Sequence, residues 1–123
     1  MNNPDAIHQI LRDKQLASLG DALVNLIYSL ALTKVNGSPH GIKVSDRILA
    51  DALKLAGLRQ YMGSRVTKKD MANAGEALLA EAYRRNVLTI EEGVKVLAEN
   101  PDGPSGGLFE LLKLAAQRVS DNA

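Results

Sequence analysis

The sequence contains no cysteine and no tryptophan, and it has only two histidines and four aromatic residues among 123. Without cysteine there are no disulfides, thiolate zinc sites or cysteine nucleophiles. His8 and His40 are too few for a multi-histidine metal site, so any bound metal would have hard oxygen ligands. The shortage of aromatic side chains argues against binding of single-stranded nucleic acid by base stacking.

Long apolar segments are also missing, since no uninterrupted apolar run approaches the roughly 18 residues that span a bilayer. The N-terminal residues have neither the basic region nor the apolar region of a secretory signal. We therefore expect a cytoplasmic protein with no membrane partner. With 46% hydrophobic and 24% charged residues, the chain has enough apolar material for a core, and its length fits one domain over residues 1–123.

The net charge of +1 hides an uneven distribution along the chain. Residues 43–69 contain seven basic and two acidic side chains, whereas residues 86–123 contain three basic and six acidic ones. A basic segment of this kind is typical of a phosphate-binding surface, and it is also typical of a solvated helix face. Charge alone leaves both interpretations open.

Apolar residues recur with helical spacing along nearly the whole chain, which predicts an all-α fold. Capping and turn residues predict the boundaries of the helices. The predicted elements are a helix from Pro4 to about Arg12, one that ends before Asn36, one from the N-cap Ser45 to Gly57, one starting at Thr67, one starting at Thr89, a flexible link over 102–107, and a final helix over about 105–119.

Two helices carry polar interruptions that a purely structural role does not require. Gly20 and Asp21 lie in mid-helix, where glycine costs about 1 kcal/mol relative to alanine and a buried aspartate needs a partner. Asn73 and Glu76, three residues apart, share a face of another helix. If the two helices face each other, Asp21, Asn73 and Glu76 would meet at one Mg²⁺ or Mn²⁺ ion. Alternatively, these are half-buried polar residues bonded to helix caps and arginines.

Three segments of the chain carry a family resemblance. They are DKQLASLGDALVNLIYSLAL at 13–32, VSDRILA at 44–50 and ANAGEALLAEAY at 72–83. Their order and spacing resemble the signature helices of the ribonuclease III family over roughly residues 13–97, most like its compact archaeal and Mini-III branches. The resemblance implies a ribonuclease III endonuclease-domain-like helical bundle that forms a homodimer with an RNA duplex across the dimer face. It implies no double-stranded-RNA-binding domain and no DNA partner.

The resemblance also implies a metal site built from four carboxylates. Here the corresponding positions are Ala17, Asp21, Asn73 and Glu76, so two carboxylates are retained. Asp21 and Glu76 are then the expected catalytic and metal-binding residues, with Asn73 as an uncharged ligand. Two further carboxylates are possible substitute ligands, and five basic residues are expected to hold RNA phosphates. They are Asp13 and Asp70, and Lys43, Arg47, Arg65, Lys68 and Lys69.

Three functions follow from these observations. The first is an endoribonuclease that uses Mg²⁺ or Mn²⁺ on double-stranded or structured RNA, with a weakened active site. The second is a catalytically inactive, dimeric RNA- or ribonucleoprotein-binding module of the same fold, and the third is a helical protein-interaction module. Apolar residues on the signature helices (Leu26, Leu30, Leu78 and Leu79) also indicate a homodimer, because they offer more apolar surface than the chain needs for its own core.

Overall fold

The computed structural model describes residues 4–122, and the regular secondary structure of this part of the chain is entirely helical, with no β-strand. The all-α prediction is therefore confirmed. The α-helices are α1 (Pro4–Leu11), α2 (Lys14–Asn36), α3 (Asp46–Leu55), α4 (Lys68–Arg84), α5 (Ile90–Ala98) and α6 (Gly103–Asp121), with a 3₁₀ turn at Arg59–Tyr61 between α3 and α4.

Most helix ends follow from local side-chain chemistry, as the sequence predicts. Ser45 caps α3 by accepting a hydrogen bond from the backbone of Ile48. Thr67 and Thr89 begin α4 and α5 with reciprocal capping boxes. After α3, Gly57 adopts a left-handed conformation (φ 77°), which glycine takes without steric cost.

The flexible link predicted over residues 102–107 is wrong, because α6 already begins at Gly103. Pro104 fits its first turn, where no backbone N–H is needed. Gly107 is buried, and a Cβ atom at this position would lie 3.0 Å from the Cα atom of Leu97 on α5. The glycine is thus needed for close packing of α6 against α5, not for flexibility.

Helix α4 lies at the centre of the fold, with α1, α2, α3 and α6 packed against it. Helix α2 also packs on α5. By length and composition alone α2 is apolar enough to cross a membrane, a property that it shares with central helices of soluble bundles.

Of the four apolar residues predicted to form a dimer surface, only the two on α2 are exposed. Leu78 and Leu79 are fully buried within the chain itself, so they are core residues. Leu26 and Leu30 are exposed, at 45% and 42%, and Leu19 on the same helix is exposed at 41%. These three residues form an apolar stripe along α2, which we call the α2 stripe.

Helices α2 and α4 approach each other most closely at Gly20. A Cβ atom at this position would lie 1.8 Å from the carbonyl oxygen of Glu76 and 2.8 Å from its Cα atom. Only glycine permits this backbone contact, since neither helix backbone moves without disturbing the core. The mid-helix glycine of the sequence is therefore explained, and it brings its neighbour Asp21 alongside Glu76.

Replacing Gly20 with alanine should lower the free energy of unfolding by more than about 2 kcal/mol, because the new methyl group collides with backbone atoms. Denaturant unfolding followed by circular dichroism measures the loss. Gly41→Ala is the matched control, since nothing lies within 4 Å of a Cβ atom there. Equal stability of the two variants would contradict the close approach of the helices.

Candidate active site

Asp21 on α2 and Glu76 on α4 form a pair of carboxyl groups joined by a hydrogen bond. The side chain of Asp21 is 45% exposed, whereas Glu76 is only 6% exposed. The sequence suggested Asp21 as the buried carboxylate, and the structure places Glu76 in that role. Two carboxyl groups in contact hold one proton between them when no cation is bound.

The two members of the pair have opposite acidities. Burial, with help from the hydrogen bond to Asp21 and its charge, raises the pKa of Glu76 to about 8. The hydrogen bonds from Glu76 and Lys43 lower the pKa of Asp21 below its ordinary value. At neutral pH Glu76 is therefore the protonated member and donates to the Asp21 carboxylate.

Lys43 provides a positive charge at this pair. Its Nζ atom lies 3.1 Å from Oδ1 and 3.4 Å from Oδ2 of Asp21, and the pairing raises the pKa of the ammonium group. The sequence predicted Lys43 as a phosphate-binding residue, but the structure pairs it with a carboxylate. Because the lysine side chain is 73% exposed, this ion pair is weak and open to exchange.

Two further polar residues belong to this site and were not singled out from the sequence. Asn25 donates from Nδ2 to Oδ1 of Asp21 (3.1 Å) and accepts from the backbone N–H of Val44 (2.7 Å), which fixes the chain beside Lys43. Asp46, at the start of α3, is close enough for its charge to raise the pKa of Glu76. The i, i+4 spacing of Asp21 and Asn25 was a visible signal, whereas nothing in the sequence indicated that Asp46 lies near Glu76.

The positions expected for the other two family carboxylates line a separate cleft. Ala17 and Asn73 are walls of a cleft of about 570 Å³ that also contains Asp13 and Asp70. Asp13 caps α2 by accepting from the backbone N–H groups of Gln15 and Leu16, both at 3.0 Å. Asp70 accepts from the backbone of Thr67 at 3.0 Å in the capping box of α4.

The substitute ligands proposed from the sequence thus serve as helix caps at a distance from the carboxyl pair. Asp13 lies roughly 12 Å along α2 from Asp21, and Asp70 roughly 9 Å along α4 from Glu76, by the rise of an α-helix. Among residues 4–122, no three aspartate, glutamate or histidine side chains gather into a group suited to a metal ion. Of the four predicted carboxylates, Asp21 and Glu76 are the two that the structure brings together.

The remaining predicted phosphate contacts are exposed and unpaired within the described part of the chain. None of them makes a hydrogen bond or an ion pair there, and Arg65 has a left-handed backbone (φ 58°). Their charges are therefore available to an external anion. They are Arg47 on α3, Arg65 in the loop before α4, and Lys68 and Lys69 in the first turn of α4.

Comparison with protein families gives a match over residues 14–106 to the family described as ribonuclease III. The chain belongs to the ribonuclease III family. A comparison with curated protein sequences finds no match. Membership in the ribonuclease III family supports a ribonuclease-like function and RNA as the partner. The matched region contains Asp21, Lys43 and Glu76, whereas α1 lies before it.

The oxygen atoms of the carboxyl pair are of the type that a hard divalent cation prefers as ligands. Both groups offer oxygen ligands, the buried member retains a proton chiefly because of its burial, and an ammonium group pairs with the other member. With two carboxylates where ribonuclease III enzymes usually have four, the charge available to a metal ion is about half.

The stability of the protein should fall as pH rises from about 5 to 8. Glu76 releases its proton at about pH 8 when folded but near 4.5 when unfolded, so the folded state binds one more proton in this interval. The free energy of unfolding should decrease by at most about 1.4 kcal/mol per pH unit. Denaturant unfolding of wild type, Glu76→Gln and Glu91→Gln in chelator measures the slopes.

Glu76→Gln should remove most of this slope, because glutamine cannot ionise. Glu91→Gln is the control, since Glu91 is an exposed glutamate at the start of α5 and its variant should follow the wild type. A Glu76→Gln variant that loses stability as steeply as the wild type between pH 5 and 8 would show that Glu76 is not the titrating group.

Proposed function

We propose that the protein is a divalent-metal-dependent endoribonuclease acting on double-stranded or structured RNA. The observation that carries the proposal is the carboxyl pair Asp21–Glu76, held together by the backbone contact at Gly20 in a chain of the ribonuclease III family. Two carboxyl groups in contact offer anionic oxygen ligands to a divalent cation, which would replace the proton that they hold between them.

In this proposal Asp21 and Glu76 hold Mg²⁺ or Mn²⁺, and the amide oxygen of Asn73 is an uncharged ligand or water anchor one turn from Glu76. When held there, such an ion would supply the Lewis acidity that activates water and the positive charge that stabilises the scissile phosphate. Asn25 orients the Asp21 carboxylate through its hydrogen bond. Lys43 competes for Asp21, since both lysine and metal are cations.

The exposed basic residues Arg47, Arg65, Lys68 and Lys69 provide the attraction for RNA phosphates in this function. Lys68 and Lys69 lie in the first turn of α4, where the positive end of the helix dipole adds to their charge. Binding through such contacts weakens steeply as salt concentration rises.

The second candidate is an RNA-binding module of the same fold that no longer cleaves. Two observations favour it: Ala17 and Asn73 replace carboxylates, and Lys43 already neutralises Asp21. In this case Lys43 takes the place of a metal ion and balances the negative charge of Asp21, so the carboxyl pair needs no metal ion in the folded protein. Cleavage, not RNA binding, separates the two functions.

We expect the protein to cut a labelled RNA duplex in Mg²⁺ or Mn²⁺ but not in chelator, and to leave a DNA duplex of the same sequence intact. Asp21→Asn and Glu76→Gln should each lower the rate at least about 100-fold, because each removes half of the anionic ligands. Asp51→Asn is the control, since Asp51 is an exposed carboxylate on α3 outside the site. Gel electrophoresis of the products measures the rates.

Two other results distinguish the remaining possibilities. If neither metal supports cleavage but the protein retains duplex RNA in a salt-sensitive manner, the binding module is correct. If cleavage occurs and persists in Asp21→Asn and Glu76→Gln, the catalytic centre lies elsewhere.

We also propose that the protein is a homodimer through the α2 stripe. Leu19, Leu26 and Leu30 are spaced at seven and four residues, so they share one face of α2 and leave a continuous apolar surface in water. The stripe is on the helix that holds Asp21. A two-fold pairing through it would therefore bring two sites to one assembly, as cleavage of both strands of a duplex requires.

Sedimentation at micromolar concentration should show a dimer for the wild type and a monomer for Leu26→Glu, because a buried charge at the centre of the contact is unfavourable. Leu55→Glu is the matched control, since Leu55 on α3 is 72% exposed and lies outside the stripe. A monomeric wild type, or a dimer that survives Leu26→Glu, would contradict the proposal.

A further inference from the structure

The cleft of about 570 Å³ beside the carboxyl pair has a lining that suits a phosphorylated small molecule. It opens where the end of α1 and the loop before α4 meet the first turns of α2 and α4. Its volume lies within the range of small-molecule sites. Its lining includes three cations, two carboxylates and several apolar residues, among them Arg12, Lys14, Arg65, Asp13, Asp70, Met62 and Val66.

Arg12 is held in place by a chain of hydrogen bonds that begins in the backbone. His8 donates from Nδ1 to the carbonyl oxygen of Tyr61 (2.8 Å), and Arg12 donates from Nη1 to Nε2 of His8 (3.0 Å). The histidine thus links the guanidinium of Arg12 to the backbone of the 3₁₀ turn. A fixed guanidinium loses less freedom when it binds an anion than a mobile one does.

The two carboxylates in the cleft do not cancel these cations. Asp13 and Asp70 are directed to the backbone N–H groups at the starts of α2 and α4, as described above. The positive ends of both helices face the same carboxylates and offset their charge. The charge of Lys14 acts on Asp70, whereas Arg12 and Arg65 form no ion pair with a carboxylate in the described part of the chain, so these two cations favour an anion in the cleft.

We propose that this cleft binds the phosphate group of a nucleotide, with Arg12, Lys14 and Arg65 contacting the phosphate and Met62 and Val66 contacting the base or sugar. A phosphate group matches the planar donor sets of the two arginines. The nucleotide is indicated by the neighbouring carboxyl pair, because Ala17 in the cleft wall lies only about 6 Å along α2 from Asp21. One RNA strand is therefore able to contact both the cleft and the carboxyl pair.

The site goes beyond the proposed nuclease, since phosphate binding requires neither the carboxyl pair nor a metal. His8 and Arg12 also precede the region matched to the ribonuclease III family, which starts at residue 14. Ala17 and Asn73 stand in the cleft wall where the family usually has carboxylates. Carboxylates at these positions would repel a phosphate, so their replacement favours the anion.

The test is calorimetric titration of the full-length protein at low salt in chelator, with adenosine 5′-monophosphate and with adenosine as probes. The monophosphate should bind at least tenfold more tightly than adenosine. Arg12→Gln and Arg65→Gln should each weaken its binding about tenfold, since each removes a charge-assisted contact. Lys34→Gln is the matched control, because Lys34 is an exposed cation in the last turn of α2 that does not line the cleft.

A second arm distinguishes a free nucleotide from the end of an RNA strand. Duplexes with a 5′-phosphate and with a 5′-hydroxyl group are compared for binding to wild type and Arg12→Gln. If the RNA end is the ligand, the phosphorylated duplex binds more tightly to the wild type, and Arg12→Gln removes the difference. If only the free nucleotide is bound, the two duplexes bind equally well, while adenosine 5′-monophosphate still binds more tightly than adenosine.

Equal binding of the monophosphate and adenosine would overturn the proposal, as would Arg12→Gln and Arg65→Gln variants that bind the monophosphate as tightly as Lys34→Gln does. Helical circular dichroism of each variant confirms that the fold is intact. Because metal is absent, the result is independent of cleavage. If the protein binds the nucleotide but does not cut RNA, the cleft proposal stands and the nuclease proposal fails. If it cuts RNA but does not bind the nucleotide, the nuclease proposal stands and the cleft proposal fails.

Discussion

The backbone contact between Gly20 and Glu76 sets the geometry of the site. Two helices normally stay apart by the width of their side chains, but here a Cβ atom on α2 would lie 1.8 Å from a carbonyl oxygen of α4. The absence of a side chain at residue 20 lets the next residue, Asp21, reach the carboxyl group of Glu76. The carboxyl pair therefore follows from packing, and packing holds it together against the repulsion of its charges.

The electrostatics of the pair follow from this enforced proximity. Glu76 is buried and cannot move away from Asp21, so it retains a proton well above the usual range of a carboxyl group. Asp21 is half exposed and attracts Lys43 from the loop after α2. A proton and an ammonium group together compensate the two carboxylates. A divalent cation would have to displace both, which links metal affinity to pH and to the mobility of Lys43.

Along the same two helices, the chemistry of the surface changes within a short distance. The carboxyl pair offers oxygen ligands for a cation, whereas the cleft at the N-terminal ends of α2 and α4 presents Arg12, Lys14 and Arg65. Ala17 and Asn73 lie in the cleft wall, one turn before Asp21 and Glu76 respectively, and both are uncharged. A metal site and a phosphate site next to each other would form one path for an RNA strand, with opposite electrostatics suited to cation and phosphate.

The sequence by itself determined the helices, their caps and the family, because these depend on residues three or four positions apart or on continuous motifs. It also identified Asp21 and Glu76. Only the tertiary structure decided that Glu76 is the buried member and that Lys43 pairs with Asp21. It likewise decided that Asp13 and Asp70 lie away from the pair and that Gly107, within α6, packs against Leu97 of α5. Each of these depends on contacts between separate helices and loops, or on the distance between residues in the folded chain, and local patterns carry no information about such contacts.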